Sequence, residues 1–373
     1  MADDITTRYR EARARVKETR ERLLITRRQI ADQTIDKVAG GRVVPARINF
    51  QLVRTLTGHS AKIYALSWAG DRIVTASQDG RLIVWNAMTG AKTHAIKLVC
   101  QWVMTCGLSP SGQFVASGGL DNVASIFNLK NKRADKDGHI PPSRMLAGHK
   151  GYISCARFVD DGSILTSSGD QTCILWDINR NTRVKTFGGP DDPSAHQQDV
   201  MSVCLQPRSA DVFVSGSCDA TAKLWDAREP GGAIRTFVGH TADINAVQFL
   251  SDGFTFGSGS DDGSCRLFDI RTGHQLITFA DNNPALQHAD YPMCVTSIAF
   301  SASGRILLAG YSNNLCYAWD AATGQIAANI KNHSGRVSCI GTSADGYAMA
   351  TGSWDNNLRI FAPSHAPMPR AGA

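Results

Sequence analysis

The stretch SGSCDATAKLWD, Ser215 to Asp226, constrains this chain more than any other, because a version of it recurs seven times. Read locally it is a strand, a tight turn and a second strand ending in Trp-Asp. Such a fragment cannot bury its own faces, so neighbouring copies must cover them. Anchored on an aromatic residue, the copies fall at Trp85, Phe127, Trp176, Trp225, Phe268, Trp319 and Phe361. The anchors are roughly 42 to 51 residues apart, which fits a four-strand propeller period of about 40 to 45 plus loop insertions. Six residues before each anchor stand Asp79, Asp121, Asp170, Asp219, Asp262, Asn313 and Asp355; four before those stand Thr75, Ser117, Thr166, Ser215, Ser258, Ala309 and Thr351. A His opens five copies, at His59, His149, His196, His240 and His333. A His, a hydroxyl, a carboxylate and an indole N–H in one register can hydrogen-bond in series, each bond contributing a net ~1 kcal/mol. These polar residues therefore read as structural rather than catalytic.

The pattern resembles the WD40 repeat family over about residues 54 to 361. Seven copies imply an all-β fold, a closed seven-bladed WD40 β-propeller. Copy two lacks the His and copy six lacks both the Asp and the hydroxyl, so those blades must rely more on packing. Copy seven stops at Phe361 without a last strand of its own, and residues near 51 to 56 are expected to supply it, removing an open sheet edge. Ahead of the repeats, residues 3 to about 37 contain no Gly or Pro and are rich in helix formers. Ile5, Tyr9, Ala12, Val16, Thr19, Leu23, Thr26 and Ile30 form one narrow stripe at steps of three and four, the seam of a coiled coil. Two Thr and one Ala weaken that seam, so the N-terminal α-helix looks like half of a coiled coil awaiting a second helix; the alternative is a solvated or propeller-docked helix. The expected organisation is a helix over 1–40, a linker over 41–53, the propeller over 54–361 and a flexible tail over 362–373. Lys130 to Arg144, Gly188 to Gln197 and Asp281 to Pro292 read as extended, exposed loops.

Composition narrows the classes of function. The formal net charge is +6, and half of it lies in the first 37 residues, with ten Lys or Arg against seven Asp or Glu. The near-balanced propeller argues against a nucleic-acid stripe. No apolar run could span a bilayer, no apolar leader follows Met1 and no prenylation Cys stands at the C-terminus, so a cytoplasmic chain is expected. Ten Cys scattered singly read as reduced, mostly buried residues, with no metal-ligand spacing. There is no GxSxG, GxxxxGK[ST], HExxH or EF-hand loop; neither an enzyme nor a cofactor or metal is expected.

Function must lie in positions that the repeat leaves free to vary. Three residues after each His, or its aligned position, come Lys62, Trp102, Tyr152, Asp199, Asp243 and Arg336; five after come Tyr64, Met104, Ser154, Met201, Asn245 and Ser338. Just before each turn Asp or Asn come Gln78, Leu120, Gly169, Cys218, Asp261, Ser312 and Trp354. Equivalent positions in rotationally related blades share height and radius, so these sets should crowd one rim around the central channel. Aromatic and Met anchors among charges suit protein binding, although a large side chain can also merely plug the channel.

The chain further resembles the beta subunits of heterotrimeric G proteins, in AKIYALSW at 61–68, WVMTCGLSPSG at 102–112, GGLDNVASIFNLK at 118–130, DVMSV at 199–203, SGSCDATAKLWD, DINAVQF at 243–249, GSDDGSCRLFD at 259–269 and TGSWDNNLRIF at 351–361. The resemblance implies a rim that binds a GDP-bound alpha subunit and, once alpha leaves, effectors. It assigns to that rim Lys62, Tyr64, Arg81, Lys92, Trp102, Met104, Leu120, Asn122, Asp199, Met201, Cys218, Asp243, Asn245, Asp261 and Trp354. It further implies an obligate gamma subunit on the seam residues Ile5, Tyr9, Ala12, Val16, Leu23 and Ile30, receptor coupling, and attachment to the inner face of the plasma membrane only through lipidated partners. Arg81, Lys150 and Gln101 depart from animal members, and the long loops and Pro-containing tail resemble fungal or protist ones. The competing reading is a WD40 scaffold or substrate receptor in another assembly.

Overall fold

The computed structural model describes residues 11–19, 21, 22, 25, 46–130, 140–280, 293–346 and 348–364. Two compact units divide at Pro45. In the first, the described positions 11–19, 21, 22 and 25 are helical, and Glu18 pairs with Arg22 one turn on at 2.8 Å. Ala12 and Val16 are exposed, Val16 by 68%. Ile5, Tyr9, Leu23 and Ile30 lie outside the described residues, as do 131–139, 281–292 and 365–373 of the expected loops and tail. Among the described residues no helix is long and apolar enough to cross a membrane.

The second unit contains seven four-stranded antiparallel sheets among its described residues, the expected all-β propeller. Their inner strands are Ile63–Ala69, Val103–Leu108, Ile153–Phe158, Val200–Gln206, Ile244–Phe249, Val295–Phe300 and Val337–Thr342. Each packs on the next and the seventh packs on the first, which closes the ring. Strand sequences follow from this sandwiching. In RLIVWN, Arg81–Asn86, four consecutive apolar residues are buried because blades cover both faces, whereas the outer strand KTHAIK, Lys92–Lys97, is mostly exposed. The core is a set of seams between blades; one joins Ile63, Leu66 and Trp85 of blade 1 to Cys339 and Leu358 of blade 7. Each such aliphatic or aromatic side chain contributes about 1.5–3 kcal/mol on burial.

The seventh sheet takes its outer strand from the start of the unit. Phe50–Thr57 pairs antiparallel with Asn357–Pro363, from Phe50 opposite Pro363 to Thr57 opposite Asn357. The strand therefore starts inside the expected 41–53 linker and consumes the first residues of the expected tail. Ser364 still donates to the Asn49 carbonyl at 2.8 Å, because each end supplies the ladder partners the other lacks. Ahead of the strand, the Ala46 N–H reaches the Asp320 carboxylate of blade 6 at 2.9 Å. The loop from Gly188 to Gln197 is not simply exposed: Ala195 and His196 are buried, and Ser194 accepts the Ala233 N–H at 2.7 Å.

The polar series forms as its spacing implies. His59 reaches Asp79 at 2.9 Å and Thr75 at 2.8 Å, and the Trp85 indole N–H donates to the same Thr75 hydroxyl at 2.9 Å. His149, Asp170, Thr166 and Trp176 repeat it, as do His196, Asp219, Ser215 and Trp225. His240 with Asp262 and His333 with Asp355 form the shorter version beside Phe268 and Phe361. In blade 2, without a His, Asp121 is exposed and accepts only a 3.5 Å contact from the Val123 N–H. In blade 6, Ala309 leaves the Trp319 indole N–H buried without a hydrogen-bonded acceptor.

These networks set a pH dependence. Burial alone would raise the carboxyls of Asp170, Asp219 and Asp262, but hydrogen bonds from the paired His and the neighbouring hydroxyl outweigh it and hold all three well below the usual 3.8. Burial also lowers His196 and His333. A depressed folded value means stability that is whole above the unfolded value and is lost as pH falls through the folded one. The His contribution therefore declines below about pH 6.5 and the larger Asp contribution below about pH 4. Urea midpoints measured by circular dichroism from pH 8 downward should fall in those two stages; a midpoint unchanged to about pH 3 would contradict the networks as ionised carboxylates.

Candidate protein-binding rim

Every inner strand carries a β-bulge at one register position, between Ile63 and Ala65, Val103 and Thr105, Ile153 and Cys155, Val200 and Ser202, Ile244 and Ala246, Val295 and Ser297, and Val337 and Cys339. The skipped residues are Tyr64, Met104, Ser154, Met201, Asn245, Thr296 and Ser338, and all seven line the central channel. A bulge leaves its extra residue out of the ladder and re-aims the side chain, which is how each blade presents one variable residue to the axis.

A second device fixes the other two slots together. The residue before each turn Asp donates its N–H to the carbonyl three residues past the His position: Gln78 to Lys62, Leu120 to Trp102, Gly169 to Tyr152, Cys218 to Asp199, Asp261 to Asp243, Ser312 to Cys294 and Trp354 to Arg336, at 2.9–3.1 Å. The turn itself needs a left-handed residue after the Asp or Asn; Gly80, Asn122, Gln171, Ala220, Gly263, Asn314 and Asn356 all hold φ between 61° and 81°. Asn and Gly tolerate that region best, so Asn122 has a backbone reason for its identity apart from any partner.

Trp354 gathers three other side chains around its ring. Lys62 Nζ lies 4.0 Å from its ring centre, the Arg336 guanidinium 5.3 Å, and Tyr64 meets it edge-on with centroids 6.0 Å apart. Its indole N–H is buried without an acceptor, so packing and two cations hold the ring. On blades 3–5 the rim turns acidic. The Tyr152 hydroxyl donates to Asp199 at 2.9 Å and touches Met201 sulfur at 3.4 Å, and the Asn245 amide donates to Asp261 at 2.6 Å. Burial, then the hydrogen bond and charge of Asp243, push the Cys218 thiol up to about 12, so it stays protonated. Trp102 and Leu120, joined by their backbone bond, are 49% and 51% exposed, which makes blade 2 the apolar sector.

The structure thus brings to the channel mouth Lys62, Tyr64, Trp102, Met104, Leu120, Asp199, Met201, Cys218, Asp243, Asn245, Asp261 and Trp354 through these two registers. Arg81, Lys92 and Asn122 belong to neither register. Arg81 and Asn122 stand at the hairpin turns. Lys92 opens the outer strand of blade 1 opposite Trp85, with Nζ 5.5 Å from that ring's centre. Asn245 is also less free than its sequence slot suggests, since its amide donates to the Val295 carbonyl of the next blade at 2.8 Å. Ser154, Thr296 and Ser338 make the same tie, to Val200, Val337 and Ile63. Sequence reasoning missed Cys294 and Thr296, the blade 6 members of the two sets, because that copy lacks the His, the turn Asp and the hydroxyl together, whereas copy two lacks only the His. Among the described residues no group of His, Cys, Asp and Glu is placed to hold a metal ion.

A closed ring of WD-type blades, constant in its hydrogen-bonded frame and varied in one circle of rim slots, defines a propeller of the protein-binding class. The chain belongs to the G protein beta WD-40 repeat family, whose model matches residues 7–362. It is 51% identical to the guanine nucleotide-binding protein subunit beta of Oryza sativa subsp. japonica over 371 residues, 96% of this chain and 97% of that one. The corresponding subunits of Solanum tuberosum and Arabidopsis thaliana are 52% and 50% identical, with the same coverage of each chain. These relatives are plant proteins, so the expected fungal or protist character finds no support.

Proposed function

We propose that this propeller works as the beta subunit of a signalling heterotrimer, with its rim shared between a GDP-bound alpha subunit and effectors. The Trp354 node carries the reading: a large aromatic gripped by Lys62, Arg336 and Tyr64 beside the channel has the composition of a binding hot spot. Basic, apolar and acidic sectors follow one another around the mouth, which favours one docking orientation. The alpha subunit in its GDP state covers this surface, and its rearrangement on binding GTP uncovers the same residues for effectors. The propeller itself needs no change of shape. The assignment is tested by titrating the chain, paired with a gamma subunit, with alpha in each nucleotide state. Tight binding of the GDP form alone supports the reading, and equal affinity for both states contradicts it.

The helical segment pairs with a gamma subunit through the seam that includes Ala12 and Val16. A lipid carried by the partners brings the assembly to the inner face of the plasma membrane beside a receptor. Val16, an exposed apolar residue in a segment rich in Arg and Glu, supports pairing. Helicity of residues 3–37 should rise on co-expression with a gamma-type helix, and Val16→Asp should reduce the yield of the pair severalfold, since it buries an unpaired charge in the seam. A soluble, monomeric chain whose N-terminal segment is already fully helical, seen by circular dichroism and sedimentation, would favour a lone scaffold.

A further inference from the structure

Beneath the rim, the channel opens into a cavity of about 300 Å³ whose lining includes two guanidinium groups, Arg157 and Arg336, and no carboxylate. Arg336 lies against Trp354 at the mouth. Arg157 projects from the inner strand of blade 3; its Nη1 donates to the Ala156 carbonyl at 3.1 Å, and no carboxylate of the described residues forms an ion pair with it. Its neighbours Cys106 and Cys204 are thiols that burial keeps protonated, so they do not offset its charge. Six Ser and Thr hydroxyls line the cavity; Ser154, Thr296 and Ser338 donate theirs to carbonyls of the next blade, and the other three accept. Thr105 accepts the Ala156 N–H at 3.2 Å, Ser202 the Val247 N–H at 3.3 Å and Ser297 the Ile340 N–H at 3.0 Å. Thr105, Ser202 and Ser297 thus each serve a neighbouring blade as acceptor, which leaves their own O–H groups to donate.

A cavity that presents guanidinium and hydroxyl donors and no carboxylate is complementary to an anion, and a guanidinium fork matches an oxyanion edge with two parallel hydrogen bonds. Leaving such a charge unpaired in a confined site is costly, and the same confinement strengthens any pairing made there. We propose that the channel is a binding site for one small tetrahedral oxyanion of the phosphate or sulfate class, held by Arg157 with the hydroxyls of Thr105, Ser202 and Ser297. This rests on the channel alone and stands or falls independently of the rim's partners.

Calorimetric titration of the full chain with inorganic phosphate tests it, with chloride as the control anion. Saturable one-to-one binding is expected, with affinity reduced about tenfold or more in Arg157→Gln and less in Arg157→Lys, which retains charge but loses the fork. A second arm with glycerol 3-phosphate separates a free ion from the phosphate of a larger molecule: tighter binding points to the latter, weaker binding to the former. Absence of saturable phosphate binding, or binding unchanged in Arg157→Gln, overturns the proposal. Should that variant fail to fold, crystals of the unaltered chain grown with selenate decide the matter. An anomalous peak within hydrogen-bond distance of Arg157 supports the site, and a channel without one overturns it.

Discussion

Replacing Trp354 by alanine is expected to weaken binding of the GDP-bound alpha subunit by ~2 kcal/mol or more, roughly thirtyfold, while leaving the fold intact. The expectation follows from what the ring holds in place. Lys62 at 4.0 Å and Arg336 at 5.3 Å lie against its π system, and Tyr64 packs edge-on. Truncation removes the anchor and also releases two long cationic side chains whose positions it fixes, so the partner meets a disordered sector of rim. The fold should survive because the ring belongs to none of the His-Asp series and its N–H has no acceptor to lose. Calorimetry measures the affinity and circular dichroism the fold. Unchanged affinity in a folded variant would remove the rim assignment; an unfolded variant would mean that the ring is chiefly a structural plug.

The largest effect on stability is expected at Asp219. Its carboxylate accepts from His196 at 2.8 Å, the Gln197 N–H at 3.0 Å, and the N–H and hydroxyl of Thr221 at 2.9 and 2.6 Å. Asp219→Ala strands the buried His196 and its neighbours at once, so a loss of about 2–4 kcal/mol in urea unfolding is expected. The same chain contains its own control. Asp121 holds the corresponding turn in blade 2 but has no His and only one long contact, so Asp121→Ala should cost less than about 1 kcal/mol. Equal losses at the two sites would mean that the turn carboxylate acts through its own backbone and that the His network adds little.

This contrast shows which parts of the molecule were legible in advance. The His, Asp, hydroxyl and Trp of one blade lie within one repeat, and their spacing sufficed to predict four connected partners. The fold class followed from counting repeats, because seven units that cannot cover themselves close on one another. Rim membership was legible where enough of the His, Asp and hydroxyl marked the register, even in blade 2 without its His, and failed in blade 6, which lacks all three. Arg81, Lys92 and Asn122 come from family resemblance rather than register, and those three stand outside both registers. The start of the propeller was misplaced because residues 46–50 are fixed by contacts with blades 6 and 7, distant in sequence.

What the sequence determined by itself is the frame: seven blades, their polar ties, and a circle of positions those ties leave free. Tertiary structure alone decided what that circle does. The bulge that turns Tyr64 or Met201 toward the axis is a mismatch between two strands, and no single strand's residues encode it. The meeting of Lys62 and Tyr64 with Trp354 crosses the joint where the last blade closes on the first. The unpaired charge of Arg157 emerges only when seven inner strands surround one cavity. Local spacing carries interactions within a blade, whereas the axis of the ring is made of neighbours that only closure brings together.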